Sequence, residues 1–162
     1  MLRFVLMLVA AVLIPTAASP NSAYSELPAA PVATGQTQTK PPFDSYKGVT
    51  IGMKAADARM KLGKPKEDSD AEEFFDASEN ESARIVYDEA KTVRVMSITY
   101  SGNISSAPVP KSVIGVDIEA KPGGSMFKMV QFPKFGFWIS YVRTGGDTPM
   151  VIITIQKMAK ET

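Results

Sequence analysis

Residues 84–88 and 93–100 are two short runs rich in Ile, Val and Tyr, joined through Asp88-Glu89-Ala90-Lys91. β-Branched and aromatic side chains suit a pleated, half-buried surface, so the pair reads as a β-hairpin. A tight hairpin commits the chain to antiparallel pairing and needs further strands to cover its apolar side chains. Candidates lie on both sides. Residues 46–51 and 72–76 read as strands before the pair, and residues 126–132, 137–143 and 150–156 read as three more after it. Pro133 with Gly136, and then Gly145-Gly146-Asp147, punctuate the gaps between the last three.

One segment between the strands has helical spacing. In Gly48-Val49-Thr50-Ile51-Gly52-Met53-Lys54 the chain leaves a β-branched run at a glycine, and residues 54–62 follow as a short helix. Met53, Ala56 and Met60 then fall on one face. Gly63 followed by Pro65 is a strong helix stop. After the boundary at Pro108 and Pro110 a similar order recurs. Leu62-Gly63 parallels Ile114-Gly115, Ile85-Val86-Tyr87 parallels Ile139-Ser140-Tyr141, and Ser97-Ile98-Thr99 parallels Ile152-Ile153-Thr154, at offsets of 52 to 55 residues. The expected fold is a single α+β domain over residues 43–158, with short helices packed on an antiparallel sheet. Two tandem helix-plus-three-strand repeats, residues 46–104 and 108–158, would account for the parallels. Chance likeness between β-rich segments is the alternative.

Ahead of the domain the composition changes twice. Residues 1–23 have Arg3, then an apolar run over residues 4–14, then small residues at Thr16, Ala17, Ala18 and Ser19, which is the pattern of a secretory signal. The apolar run is about half the ~20 residues that a bilayer span requires. Residues 24–42 are rich in Pro, Ala, Ser, Thr and Gln and carry too little apolar surface to offset their ordering entropy. They are expected to form a flexible tether. The chain is therefore expected to be secreted or periplasmic and soluble once the leader is cleaved, with membrane attachment only through an uncleaved signal as the alternative.

Of the 162 residues 44% are apolar, so a core can form, but there is no cysteine and no histidine. That removes thiolate nucleophiles, disulfides, Cys/His zinc sites and Ser-His-Asp triads. A formal charge of +1 exerts no general pull on nucleic acid. The charge is unevenly spread, net −3 over residues 44–106 and +3 over residues 107–162.

The pattern Ile51-Gly52-Met53, short helix, Leu62-Gly63-Lys64-Pro65, then antiparallel strands to about Tyr100 resembles the SmpA/OmlA family of small outer-membrane assembly lipoproteins. It is also similar to the related β-lactamase-inhibitor-protein-like domains. The chain departs from that family in having no lipid-anchoring cysteine, and in placing Lys54, which cannot accept capping hydrogen bonds, where the family tends to have Ser or Thr. The resemblance implies a small α+β envelope or secreted module that binds another protein, without catalysis.

The candidate sites are few. The Gly48 to Gly52 turn lacks both G-x-x-x-x-G-K-[ST] and G-x-G-x-x-G, so it reads as a folding turn and no cofactor is expected. Eight acids without a base run from Glu67 to Glu81, including Glu72, Glu73 and Asp76. They read as a solvated hairpin edge, with a contact for a basic partner as the functional reading. A carboxylate-dependent hydrolase is the less favoured third reading, and the D-x-[DN]-x-[DN]-G calcium loop is missing. Ser125, Lys128 and Ser140 show no spacing that singles out a Ser/Lys pair. Asn80-Glu81-Ser82 and Asn103-Ile104-Ser105 fit the glycosylation sequon, which matters only in a eukaryotic source. The strongest surface candidate is the aromatic turn with Phe132, Phe135, Phe137 and Trp138. Period-two alternation sends Phe137 and Trp138 to opposite faces, so they cannot enter one core. Local packing beneath the sheet is the bland reading of these aromatics; the functional one is that they anchor a protein interface or stack on a sugar. The expected partner is another protein, with a cell-wall glycan as the alternative, and no nucleic acid.

Overall fold

The structure, a computed structural model, describes residues 40–159. The expected signal at 1–23 and most of the expected tether at 24–42 lie outside the described residues. The first described elements are a two-strand hairpin, β1 (Ser45–Tyr46) and β2 (Val49–Thr50). Lys47 and Gly48 between them both have positive φ, 47° and 80°, as a two-residue turn matched to strand twist requires.

Helix α1 (Ala55–Leu62) follows, and its ends are set by backbone geometry. Gly52 at φ 83° turns the chain, and its N–H donates to the Val93 carbonyl at 2.8 Å. The amide an anion would need is thereby used in folding. Lys54 makes no side-chain cap. Its place is taken by the Lys91 carbonyl, which accepts from the Ala55 N–H at 3.0 Å and satisfies one of the orphan donors of the first turn. The helix faces the core through Ala58, fully buried, with Ala55 and Leu62 partly buried beside it. The expected face is corrected: Met60 is 78% exposed. Residues 55, 58 and 62 have the same i, i+3, i+7 spacing as 53, 56 and 60, and the small side chains of Ala55 and Ala58 allow the close approach.

The rest of the domain is sheet. Strands β3 (Glu67–Asp68), β4 (Glu72–Ser78), β5 (Glu81–Tyr87) and β6 (Val93–Tyr100) are followed by a 3-10 turn (Ile104–Ser106) and helix α2 (Pro110–Ile114). Then come β7 (Met126–Phe132), a 3-10 turn (Pro133–Phe135), β8 (Phe137–Arg143) and β9 (Val151–Lys157). The seven strands β3 to β9 form one antiparallel sheet in the order β3-β4-β5-β6-β9-β8-β7. The two most β-branched strands, β6 and β9, lie side by side at the centre. Every residue of β9 from 151 to 156 pairs with β6, and these two strands join the N-terminal and C-terminal meanders.

The α+β expectation, with helices packed on the sheet in two tandem helix-plus-three-strand repeats, is corrected by this architecture. Strands take 42% and helices 16% of the described residues, so the seven-stranded sheet dominates. The physical reason is length: α2 has five residues and α1 buries only Ala58, too little to form a helical layer. Much of the covering comes instead from the β1–β2 hairpin and from irregular chain. Tyr46, Val49, Val113 and Ile114 join Phe75, Ile85, Met96, Ile98, Ile139, Ile153 and Ile155 in a single core on one face of the sheet. Among the described residues no helix is long and apolar enough to cross a membrane.

Candidate functional site

With α1 and α2 on one face, the strand registers define what the opposite face carries. Side chains two apart share a face, and cross-strand partners lie side by side. One row across strands β4, β5, β6, β9, β8 and β7 is Glu72, Val86, Val95, Gln156, Trp138 and Gln131. The next contains Phe74, Arg84, Ser97, Ser140 and Met129, and the one beyond it contains Ser82, Thr99, Ile152, Val142 and Phe127. None of these side chains enters the core cluster, and most are half-buried or exposed. The face that the described elements leave uncovered is thus a mixed surface with Trp138 in its C-terminal half and apolar side chains around it.

The two edges of the sheet differ. The β3 edge is two residues long, both acidic and exposed. Short, charged edges discourage strand pairing. The β7 edge is seven residues long with the sequence Met-Phe-Lys-Met-Val-Gln-Phe and a single charge, Lys128. It pairs with β8 alone among the described residues, and it carries Phe127 at 62% and Met129 at 45% exposure. Adjoining it, Phe135 in the 3-10 turn is 42% exposed, with its ring centroid 6.3 Å from that of Phe137.

The aromatic turn is therefore divided. Trp138 lies half-buried on the uncovered face and Phe135 projects at the turn, whereas Phe132 and Phe137 are buried and pack together at 6.0 Å on the core side. Phe132 and Phe137 are structural, because they are cross-strand partners where β7 and β8 close their turn.

The acids divide as well. Glu72 lies on the uncovered face, where the Arg84 Nε donates to it at 2.7 Å. Arg84 also sits 5.9 Å from the centroid of the Phe74 ring. Asp76 is exposed and paired with Lys66 at 2.8 Å. Glu73 points the other way and is 0% exposed. Its carboxylate takes the Tyr87 hydroxyl at 2.6 Å and the Arg59 guanidinium, and so ties α1 to β4 and β5. Burial, and then the hydrogen bond to Glu73, push the Tyr87 phenol above its ordinary range. The three acids do not meet in one cleft, and each has its own hydrogen-bonding or ionic partner. Glu73 is a packing residue that an acidic run concealed. Its place two residues before buried Phe75 was the available signal.

Phe127 and Met129 were not singled out from the sequence. Alternation placed them on a shared strand face, but nothing local shows that the strand ends a sheet. Compared with known proteins, the chain matches no family model, no curated protein and no solved structure.

Proposed function

We propose that the protein is a non-catalytic interaction module, secreted or periplasmic, which takes a partner protein along the β7 edge and the adjoining uncovered face. The observation that carries this reading is the contrast between edges: one is blunted by two acids, while the other is a seven-residue strand that pairs with β8 on one side and, among the described residues, has no strand neighbour on the other, beside exposed Phe127 and Met129. A partner strand added there gains main-chain hydrogen bonds, and alternate side chains supply selectivity. The leader-like residues 1–23 support the location, and the resemblance of residues 51–65 to small envelope domains supports the binding role.

The test places a photo-crosslinking residue at Met129, at Trp138 and, as a control, at Glu67 on the opposite edge. Adducts of one mass from the first two positions and none from Glu67 are expected in the envelope or secreted fraction. The same adducts from all three, or none from any, would overturn the reading. A second reading has its own observation, since Trp138 lies in one row with Gln131 and Gln156, an aromatic face flanked by amides that suits sugar stacking. Trp138 is the only tryptophan. A saturable change in its fluorescence with peptidoglycan fragments would favour the glycan over the protein partner.

A further inference from the structure

A cavity of about 400 Å³ opens on the core side of the sheet, at the end opposite the aromatic turn. Its walls are Ile104, Ala107, Pro108 and Val109 from the connection into α2, facing Met126 and Val151 from β7 and β9. The volume lies in the range of small-molecule sites, roughly 300–1,000 Å³, and such sites are mostly apolar with a few fixed polar groups. Here the polar groups are Ser105, Tyr141 and Arg143.

Arg143 is out of place by ordinary rules. Its cross-strand neighbours are Met126 on one side and Val151 on the other, both apolar. Its Nε is buried with no hydrogen-bond partner, and among the described residues no carboxylate pairs with it. No acid lines the cavity. Arg143 is half-buried as a residue, but a buried donor such as its Nε is normally hydrogen-bonded, because an unmet donor destabilises the fold. We infer that this cavity binds an apolar group bearing one carboxylate, with Arg143 as its counter-charge. A planar carboxylate matches the guanidinium fork, whereas a doubly charged phosphate would lack a second cation here. Tyr141 remains a neutral phenol, since burial raises its pKa and the Arg143 charge opposes this only in part. The carboxylate has two natural sources, a free fatty acid or the C-terminal residue of an apolar peptide.

Titration calorimetry on the full mature chain decides, with octanoate and N-acetyl-leucine as probes and methyl octanoate as the uncharged control. Saturable binding of either acid is expected, and whichever binds more tightly names the source. The methyl ester should bind about tenfold to a hundredfold more weakly, as loss of a charge-assisted hydrogen bond implies. Arg143→Met should abolish binding of the acid. Should that variant not fold, Val109→Glu at the exposed rim supplies an internal competitor and must weaken binding without touching the core. No saturation by either acid, equal binding of the ester, or unchanged affinity in Val109→Glu would overturn the inference. Because the cavity lies away from Trp138 and the face it occupies, a negative result here leaves the interaction surface standing.

Discussion

Replacing Tyr87 by phenylalanine removes one oxygen and leaves the ring in its packed position. The hydroxyl donates at 2.6 Å to Glu73, whose side chain is inaccessible to solvent. One carboxylate oxygen thus loses its donor, while the Arg59 guanidinium still holds the other. No methylene is lost, so cavity terms are negligible and the hydrogen bond dominates. A bond to a charged group contributes about 1.5–3 kcal/mol, and a buried acceptor left unmet costs about 1–3 kcal/mol. The expected destabilisation is about 2 kcal/mol, or roughly 6–12 °C in Tm for a domain of this size. Urea unfolding followed by Trp138 fluorescence suits the measurement, because the indole lies on the opposite face of the sheet and reports only global unfolding.

Two companions sharpen the result. Glu73→Leu with Tyr87→Phe removes both partners and should cost less than the sum of the single changes, since nothing charged remains buried. The phenol also sets an alkaline limit. Its folded pKa lies above the unfolded value of about 10, so its contribution is intact below pH 10 and is lost as pH rises further. Tyr87→Phe should flatten part of that loss. A change in stability below about 0.5 kcal/mol in Tyr87→Phe, within the scatter of ordinary surface substitutions, would refute the account of Glu73 as a buried, hydrogen-bonded charge.

At the β5–β6 turn, Asp88 accepts from the Thr92 backbone at 2.9 Å and its hydroxyl at 2.8 Å, which, with Lys157, hold its pKa down to about 2. The stability it lends is present above the ordinary carboxylate pKa and fades as pH falls toward 2, so Asp88→Asn should narrow the gap in Tm between pH 7 and pH 2.5. On the β7 edge, Phe127→Lys with Met129→Lys should change stability by no more than about 0.5 kcal/mol, as exposed sites do, yet abolish the adduct from the crosslinker at Trp138. Gly145→Ala should destabilise by about 1–3 kcal/mol in urea, because the new Cβ would come 2.5 Å from the Gly123 carbonyl oxygen and the two loops must separate.

Local chemistry made much of the strand pattern legible. The hairpin at 84–100, the strands at 126–132 and 137–143, and the bounds of α1 follow from alternation and from glycines at Gly52 and Gly63. The placement of β9 beside β6 does not follow, because that pairing joins residues more than 50 apart and no local turn specifies it. The weight given to helices was too great for the same reason: helical spacing was visible in 54–62, but how little of it the sheet would take up was not. At the surface, period two separated Phe137 from Trp138 correctly, as side chains of opposite faces. It left open which face would stay uncovered, and so Phe132 and Phe137 were candidates alongside Phe135 and Trp138. Arg143 gave no warning at all, since an unpaired guanidinium is defined by what fails to surround it.

The unequal edges of the sheet have a further consequence for stoichiometry. A sheet open at both sides can add strands without end and grow into a fibre. Here the acidic two-residue strand β3 covers part of β4 at Glu73 and Phe74 and blunts that side with charge, and among the described residues β7 is the longer, less charged edge. If a partner strand adds at β7 as proposed, the expected stoichiometry is one partner per molecule, or one closed pair if the partner is a second copy.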